Sequence, residues 1–186
     1  MLKDTEKWLR WFDARKLPGP RKEVEDMATR AKEREASYAR WLGAMPKPLR
    51  PFWDRAIEDE LNPKLEPLRS ALTKVIPDTR QRALALFAWF GSGKGPWSGY
   101  PVYETVAEEL LLDLSTSDLV TAISAKGVTQ TQLEGAARLF AGWNFLKRRP
   151  DDKEKLPEPL KRMLLEHSLK STDADKQSRA KSAFAQ

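Results

Sequence analysis

The stretch Gly91 to Glu104, GSGKGPWSGYPVYE, holds four of the nine glycines and sets Lys94 and Glu104 among three aromatic residues, Trp97, Tyr100 and Tyr103. Long Gly-rich connections with exposed rings often serve as binding loops, and here Lys94 and Glu104 could hydrogen-bond a ligand lodged between the aromatics. Gly93 and Lys94 do not make a phosphate loop. That loop needs a glycine five residues before the Gly of its Gly-Lys pair and a Ser or Thr after the lysine, but Ala88 and Gly95 occupy those places. The competing use of the segment is structural, with Trp97 and Tyr100 folding back to plug a gap between neighbouring helices.

The other chemistry-bearing residues are sparse. His167 is the single histidine and there is no cysteine. Disulfides, thiolate nucleophiles and multi-histidine metal sites are therefore excluded, and a Ser-His-Asp triad would have to use His167. Its neighbours Leu164 and Leu165 place it on a helix as a partly buried or surface residue. Glu108 and Glu109, and the run Glu58, Asp59 and Glu60, are adjacent acids that point to different faces of a helix, which favours solvation over acid-base work. No catalytic constellation emerges, and no cofactor or metal is expected.

A formal charge of +6 on 186 residues invites a nucleic-acid reading, but the excess is unevenly placed. It is +2 over residues 1 to 62, zero over 63 to 145 and +4 over 146 to 186. Only Lys147, Arg148 and Arg149, with Lys153 and Lys155 just beyond, form a local cluster; Arg162 follows on the next helix. The charged start MLKDTEKWLRW lacks the apolar run of a signal peptide. The longest apolar stretch, Ala83 to Gly91, is about half of what a bilayer crossing requires. A cytoplasmic protein without membrane contact is the expectation.

Helices must position these residues. Leu, Ala, Trp and Phe abound while Val and Ile are scarce, and the thirteen prolines lie mostly between apolar segments, so an all-α fold is predicted. Trp8, Leu9 and Phe12 share one face of a helix near residues 2 to 16. Val24, Met27, Ala31, Tyr38, Trp41 and Leu42 mark a second, over about 20 to 43. Leu49, Phe52, Trp53, Ile57 and Leu61 space out a third. Asn62 and Pro63 read as the cap and first-turn proline of a fourth, through Leu65, Leu68, Leu72 and Val75.

This order then recurs, and the recurrence is the most informative feature of the chain. Similar strings end the first helix of each unit: Tyr38 to Gly43, Phe87 to Gly91, and Phe140 to Phe145. Proline opens each second helix at Pro46, Pro101 and Pro157, spaced by 55 and 56 residues, and Pro46-Lys47-Pro48-Leu49-Arg50 matches Pro157-Glu158-Pro159-Leu160-Lys161. The third helices correspond through Leu68 to Thr73 and Leu119 to Ser124, with Asp173 to Phe184 in the same place of the last unit. Ser115 with Asp118, Thr172 with Asp175, and Thr129 with Gln132 have capping-box spacing. Trp41, Trp89 and Trp143 hold equivalent positions and are predicted in the core, while Trp8, Trp11, Trp53 and Trp97 are less constrained. The polar composition of Asp173 to Phe184 predicts fraying.

Tandem three-helix units of this kind resemble armadillo repeats, and their tight helix pairs resemble HEAT repeats, although the period here is longer. The resemblance covers roughly residues 20 to 184. It implies a single domain, 1–186, built as a right-handed α-solenoid-like array of about nine to ten helices. Residues 1–16 would cap it, and about 20–76, 77–127 and 128–184 would be its three repeats. An irregular helical bundle is the alternative. Such an array implies a protein-binding scaffold or adaptor without catalytic residues, contacting its partner through the 91–104 loop and the edges of the second helices. A basic array binding DNA or RNA, similar to the HEAT-like DNA glycosylases, would need Lys147, Arg148, Arg149 and Arg162 to converge on one concave face. A small-ligand binder or enzyme would need a pocket lined by Lys94, Trp97, Tyr100, Tyr103 and Glu104. Oligomeric state is not legible.

Overall fold

A computed structural model describes residues 7, 9–10, 21–56, 64–92, 102–152 and 155–185. Among the described residues there is helix and no strand. The delimited helices are α1 (Arg21–Ala44), α2 (Arg50–Ala56), α3 (Glu66–Val75), α4 (Thr79–Gly91), α5 (Val102–Leu112), α6 (Thr116–Ile123), α7 (Gln130–Phe140), α8 (Trp143–Arg148), α9 (Glu158–Leu169) and α10 (Ala174–Phe184). Short 3-10 turns at Lys47–Leu49 and Pro150–Asp152 precede α2 and follow α8. Lys7, Leu9 and Arg10 are helical, but the proposed N-terminal cap with Trp8, Trp11 and Phe12 otherwise lies outside the described residues, as do Asn62 and Pro63.

Local sequence explains where most helices begin. Asp78 accepts a hydrogen bond from the Gln81 amide at 2.7 Å and starts α4, and Ser115 accepts one from the Asp118 amide to start α6. Thr129 and Gln132 exchange side-chain and backbone bonds at 3.2 and 2.8 Å, a reciprocal capping box on α7. The last helix is capped one residue later than the Thr172–Asp175 spacing predicts. Asp173, whose carboxylate reaches the amides of both Asp175 and Lys176, takes the position. Pro46 and Pro157 play the same role before Lys47 and Glu158, each in extended backbone without a side-chain cap, each with a second proline in the following turn. The matching leucines, Leu49 and Leu160, are both buried.

The core is a run of aromatic side chains. Trp41 from α1, Trp53 from α2 and Trp89 from α4 form a triangle with ring centroids 4.8 to 5.9 Å apart. Phe87 of α4 stands 6.3 Å from Phe140 of α7, and Phe140 meets Phe145 of α8 edge-on at 5.1 Å. Helices α1, α4 and α7, which carry the three similar aromatic strings, thus meet through residues of those strings. α4 is the centre of the fold and packs against α1, α5, α6 and α7.

Two glycines permit its closest contact. A Cβ on Gly91 would lie 1.9 Å from the Thr131 carbonyl oxygen, and one on Gly135 would lie 2.1 Å from that of Phe87. The α4 and α7 backbones therefore touch. Side chains tie the same seam: Gln132 donates to the Leu84 carbonyl at 3.2 Å and Arg138 to the Phe90 carbonyl. Gly91, read in the sequence as the start of a loop, is the last residue of α4 and is consumed by packing.

Several expected core positions differ. Trp143 is 74% exposed. Its string bends at Ala141 and Gly142, so Trp143 opens a separate short helix facing outward and Phe145 takes the buried place. Trp53, left unconstrained by the repeat, is buried in the tryptophan triangle. Met27 and Val75 are exposed as well. α10 packs along α9 with Ala180, Ala183 and Phe184 buried, so this polar segment is docked through three residues at its C-terminal end.

Candidate functional site

A cleft of about 310 Å³ opens where the end of α4, α5, α7, the start of α8 and α10 meet. Helix periodicity brings its polar residues in. On α5, Glu108 lies on the inward face with Leu111 and Leu112, whereas Glu109 points outward to Arg148. On α7, Glu134 and Arg138 are four residues apart and present one face to α10, which supplies Lys176 and Arg179.

Glu108 is only 8% exposed. The Asn144 amide donates to its Oε2 at 2.9 Å. Burial pushes the carboxyl above its ordinary value of 4.5, opposed by the Asn144 hydrogen bond and the positive fields of Arg138 and Arg148. Glu134 behaves in the opposite sense. Burial alone would raise it, but it accepts hydrogen bonds from Lys176 and from His167 Nε2 at 3.2 Å, and these two hold it below 4.5. His167 Nδ1 meets Gln130 Oε1 at 3.0 Å, so the single histidine bridges α9 to α7. Arg138 lies 4.3 Å over the Phe90 ring while binding the Phe90 carbonyl.

The two carboxyls give opposite pH signatures. Glu134, lowered on folding, adds stability that is present above the unfolded value and lost as pH falls through its folded one. Glu134→Gln is expected to cost about 1.5–3 kcal/mol at pH 7, the scale of a hydrogen bond to a charged group. The deficit should shrink on acidification below 4.5. Glu108, raised on folding, carries a penalty that is absent below 4.5 and complete above its folded value. Glu108→Gln should therefore be more stable than the parent at pH 7 and lose that advantage in acid. Urea titrations from pH 3 to pH 8 check both; parallel curves for either variant would contradict its assignment.

The sequence-predicted residues fare unevenly. Lys94, Trp97 and Tyr100 lie outside the described residues; Tyr103 and Glu104 fall in the first turn of α5, their side chains outside the description. The basic cluster is largely spent within the fold. Arg148 makes a bidentate pair with Glu109 at 2.7 and 2.8 Å, and Arg149 donates to Thr116 Oγ1 and to the carbonyls of Leu112 and Leu114 at 2.6 to 2.9 Å. Lys147 and Arg162 are exposed on α8 and α9. Among the described residues no group of three His, Cys, Asp or Glu side chains could hold a metal, and no helix is long and apolar enough to cross a membrane.

Sequence reasoning gave Arg138, Asn144, Lys176 and Arg179 no part in a site. Glu108 and Glu109 interrupt the apolar run Val106 to Leu112, and against the expected solvation of both, the helix turns Glu108 inward. Comparison of the chain with protein-family models, curated proteins and solved structures finds no match. The fold and site define an all-helical protein with a mixed-charge cleft beside an exposed tryptophan.

Proposed function

We propose that the protein is a non-enzymatic, protein-binding helical module whose contact surface includes α8 and the adjoining rim of the cleft. One observation carries this reading: Trp143 is 74% exposed on a helix, flanked by the cleft-lining residues Gly142 and Asn144. A large ring left in water beside a packed aromatic core suits an interface anchor, since tryptophan is enriched among the residues that dominate binding energy. The contacts between α1, α4 and α7, and the paired entries at Pro46 and Pro157, support the finer reading of a three-unit, solenoid-like array. The internal pairing of Arg148 and Arg149 weighs against the nucleic-acid alternative.

Trp143→Ala is expected to stay within about 0.5 kcal/mol of the parent in stability, as an exposed position allows, and to lose at least tenfold in affinity for a bound protein partner. Proteins retained by the immobilised chain, compared quantitatively between parent, Trp143→Ala and Arg162→Ala, provide the measurement. Equal retention by the parent and Trp143→Ala would sink the proposed surface. Mixed-sequence DNA and RNA duplexes, titrated at low and moderate salt, are expected not to bind. Affinity that falls steeply with salt would instead favour the basic-array reading.

A further inference from the structure

We propose that the cleft between α5, α7 and α10 binds a small aminocarboxylate, an α-amino acid or a close analogue, with its ammonium at Glu108 and its carboxylate at Arg179. The inference does not depend on the protein-binding reading. It follows from which charges in the cleft are already committed. Of the two acidic residues, Glu134 is engaged by Lys176 and His167, whereas Glu108 is held at Oε2 by Asn144 and takes no hydrogen bond at Oε1 among the described residues. Of the three cations, Lys176 is on Glu134 and Arg138 on the Phe90 carbonyl. Arg179 lines the same cleft with no ion pair or hydrogen bond among the described residues.

What remains is one open carboxylate oxygen on a side chain more than nine-tenths buried, and one open guanidinium fork. That oxygen is open to the cleft, and an incoming ammonium would give it a charge-matched donor. A carboxylate matches the two parallel N–H groups of an arginine. An anion alone would leave Glu108 as it is and feel its repulsion, and an amine alone would leave Arg179 unused. A ligand carrying both charges satisfies both groups. Phe90, Ala137 and Ala180 complete the walls with apolar surface suited to a small side chain, and about 310 Å³ lies at the lower end of small-molecule sites.

The test is calorimetry and thermal unfolding of the full chain with each of the common α-amino acids, and with sodium acetate and ethylamine as single-function probes. At least one amino acid is expected to bind saturably and raise the Tm, while acetate and ethylamine bind at least tenfold more weakly. Glu108→Gln and Arg179→Ala should each weaken that amino acid by about tenfold or more, the scale of one charge-assisted pair. Arg179 is exposed, so Arg179→Ala is expected to fold and decides the question by itself. The proposal is overturned if no amino acid binds, if acetate or ethylamine binds as tightly as the amino acid, or if Arg179→Ala binds like the parent.

Discussion

Gly135→Ala is expected to destabilise the protein by about 3 kcal/mol or more, although glycine to alanine within a helix ordinarily gains up to about 1 kcal/mol. The added methyl would stand 2.1 Å from the Phe87 carbonyl oxygen, on backbone that cannot rotate away, so α4 and α7 would have to separate. Separation also strains the bonds from Gln132 to Leu84 and from Arg138 to Phe90 along the same seam. Gly43→Ala provides the internal control. Gly43 is helical, nothing lies within 4 Å of its Cβ position, and that substitution should be neutral or stabilising. Urea denaturation followed by circular dichroism measures both. An undiminished midpoint for Gly135→Ala would mean that the two helices do not touch there.

Trp89→Ala is expected to cost about 3–5 kcal/mol, the range for removing a fully buried large aromatic. Its ring is wholly inaccessible and meets both Trp41 and Trp53, so its loss opens a cavity where α1, α2 and α4 join. Trp89→Phe should recover much of that cost, because the indole Nε1 is buried without a hydrogen-bond partner and phenylalanine removes the unsatisfied donor. Equal destabilisation by Trp89→Ala and Trp143→Ala in thermal melts would show that the aromatic triangle does not hold these helices together.

The two tryptophans illustrate how far the recurrence in the sequence could be taken. The strings at Phe87 and Phe140 look alike, and both do supply core aromatics. Trp89 precedes an uninterrupted helix end, whereas Trp143 follows Gly142, where the chain bends and starts a new helix. Spacing assigned both to the core; the bend moves one of them into water. The caps at Ser115 and Thr129 and the proline entries at Pro46 and Pro157 were legible because they depend on residues within three positions of each other. At α10 the same local logic missed by one residue, since Asp173 reaches two amides at once.

The basic cluster and the cleft depend on longer range. Lys147, Arg148 and Arg149 read as one positive patch along the chain. Arg148 and Arg149 are instead turned onto Glu109 and the end of α5, residues 35 to 39 positions earlier. Glu108 and Arg179 are farther apart still, and no periodicity within α5 or α10 announces that both line one cleft. The helical class, the caps at Ser115 and Thr129 and the aromatic strings were determined by the sequence itself, because capping and apolar periodicity are local and act within one turn or one face of a helix. The partnering of charges, the exposure of Trp143 and the cleft were decided only by the tertiary structure. They depend on how closely α4 and α7 approach through their glycines and on which side chains that approach carries into the same low-dielectric space.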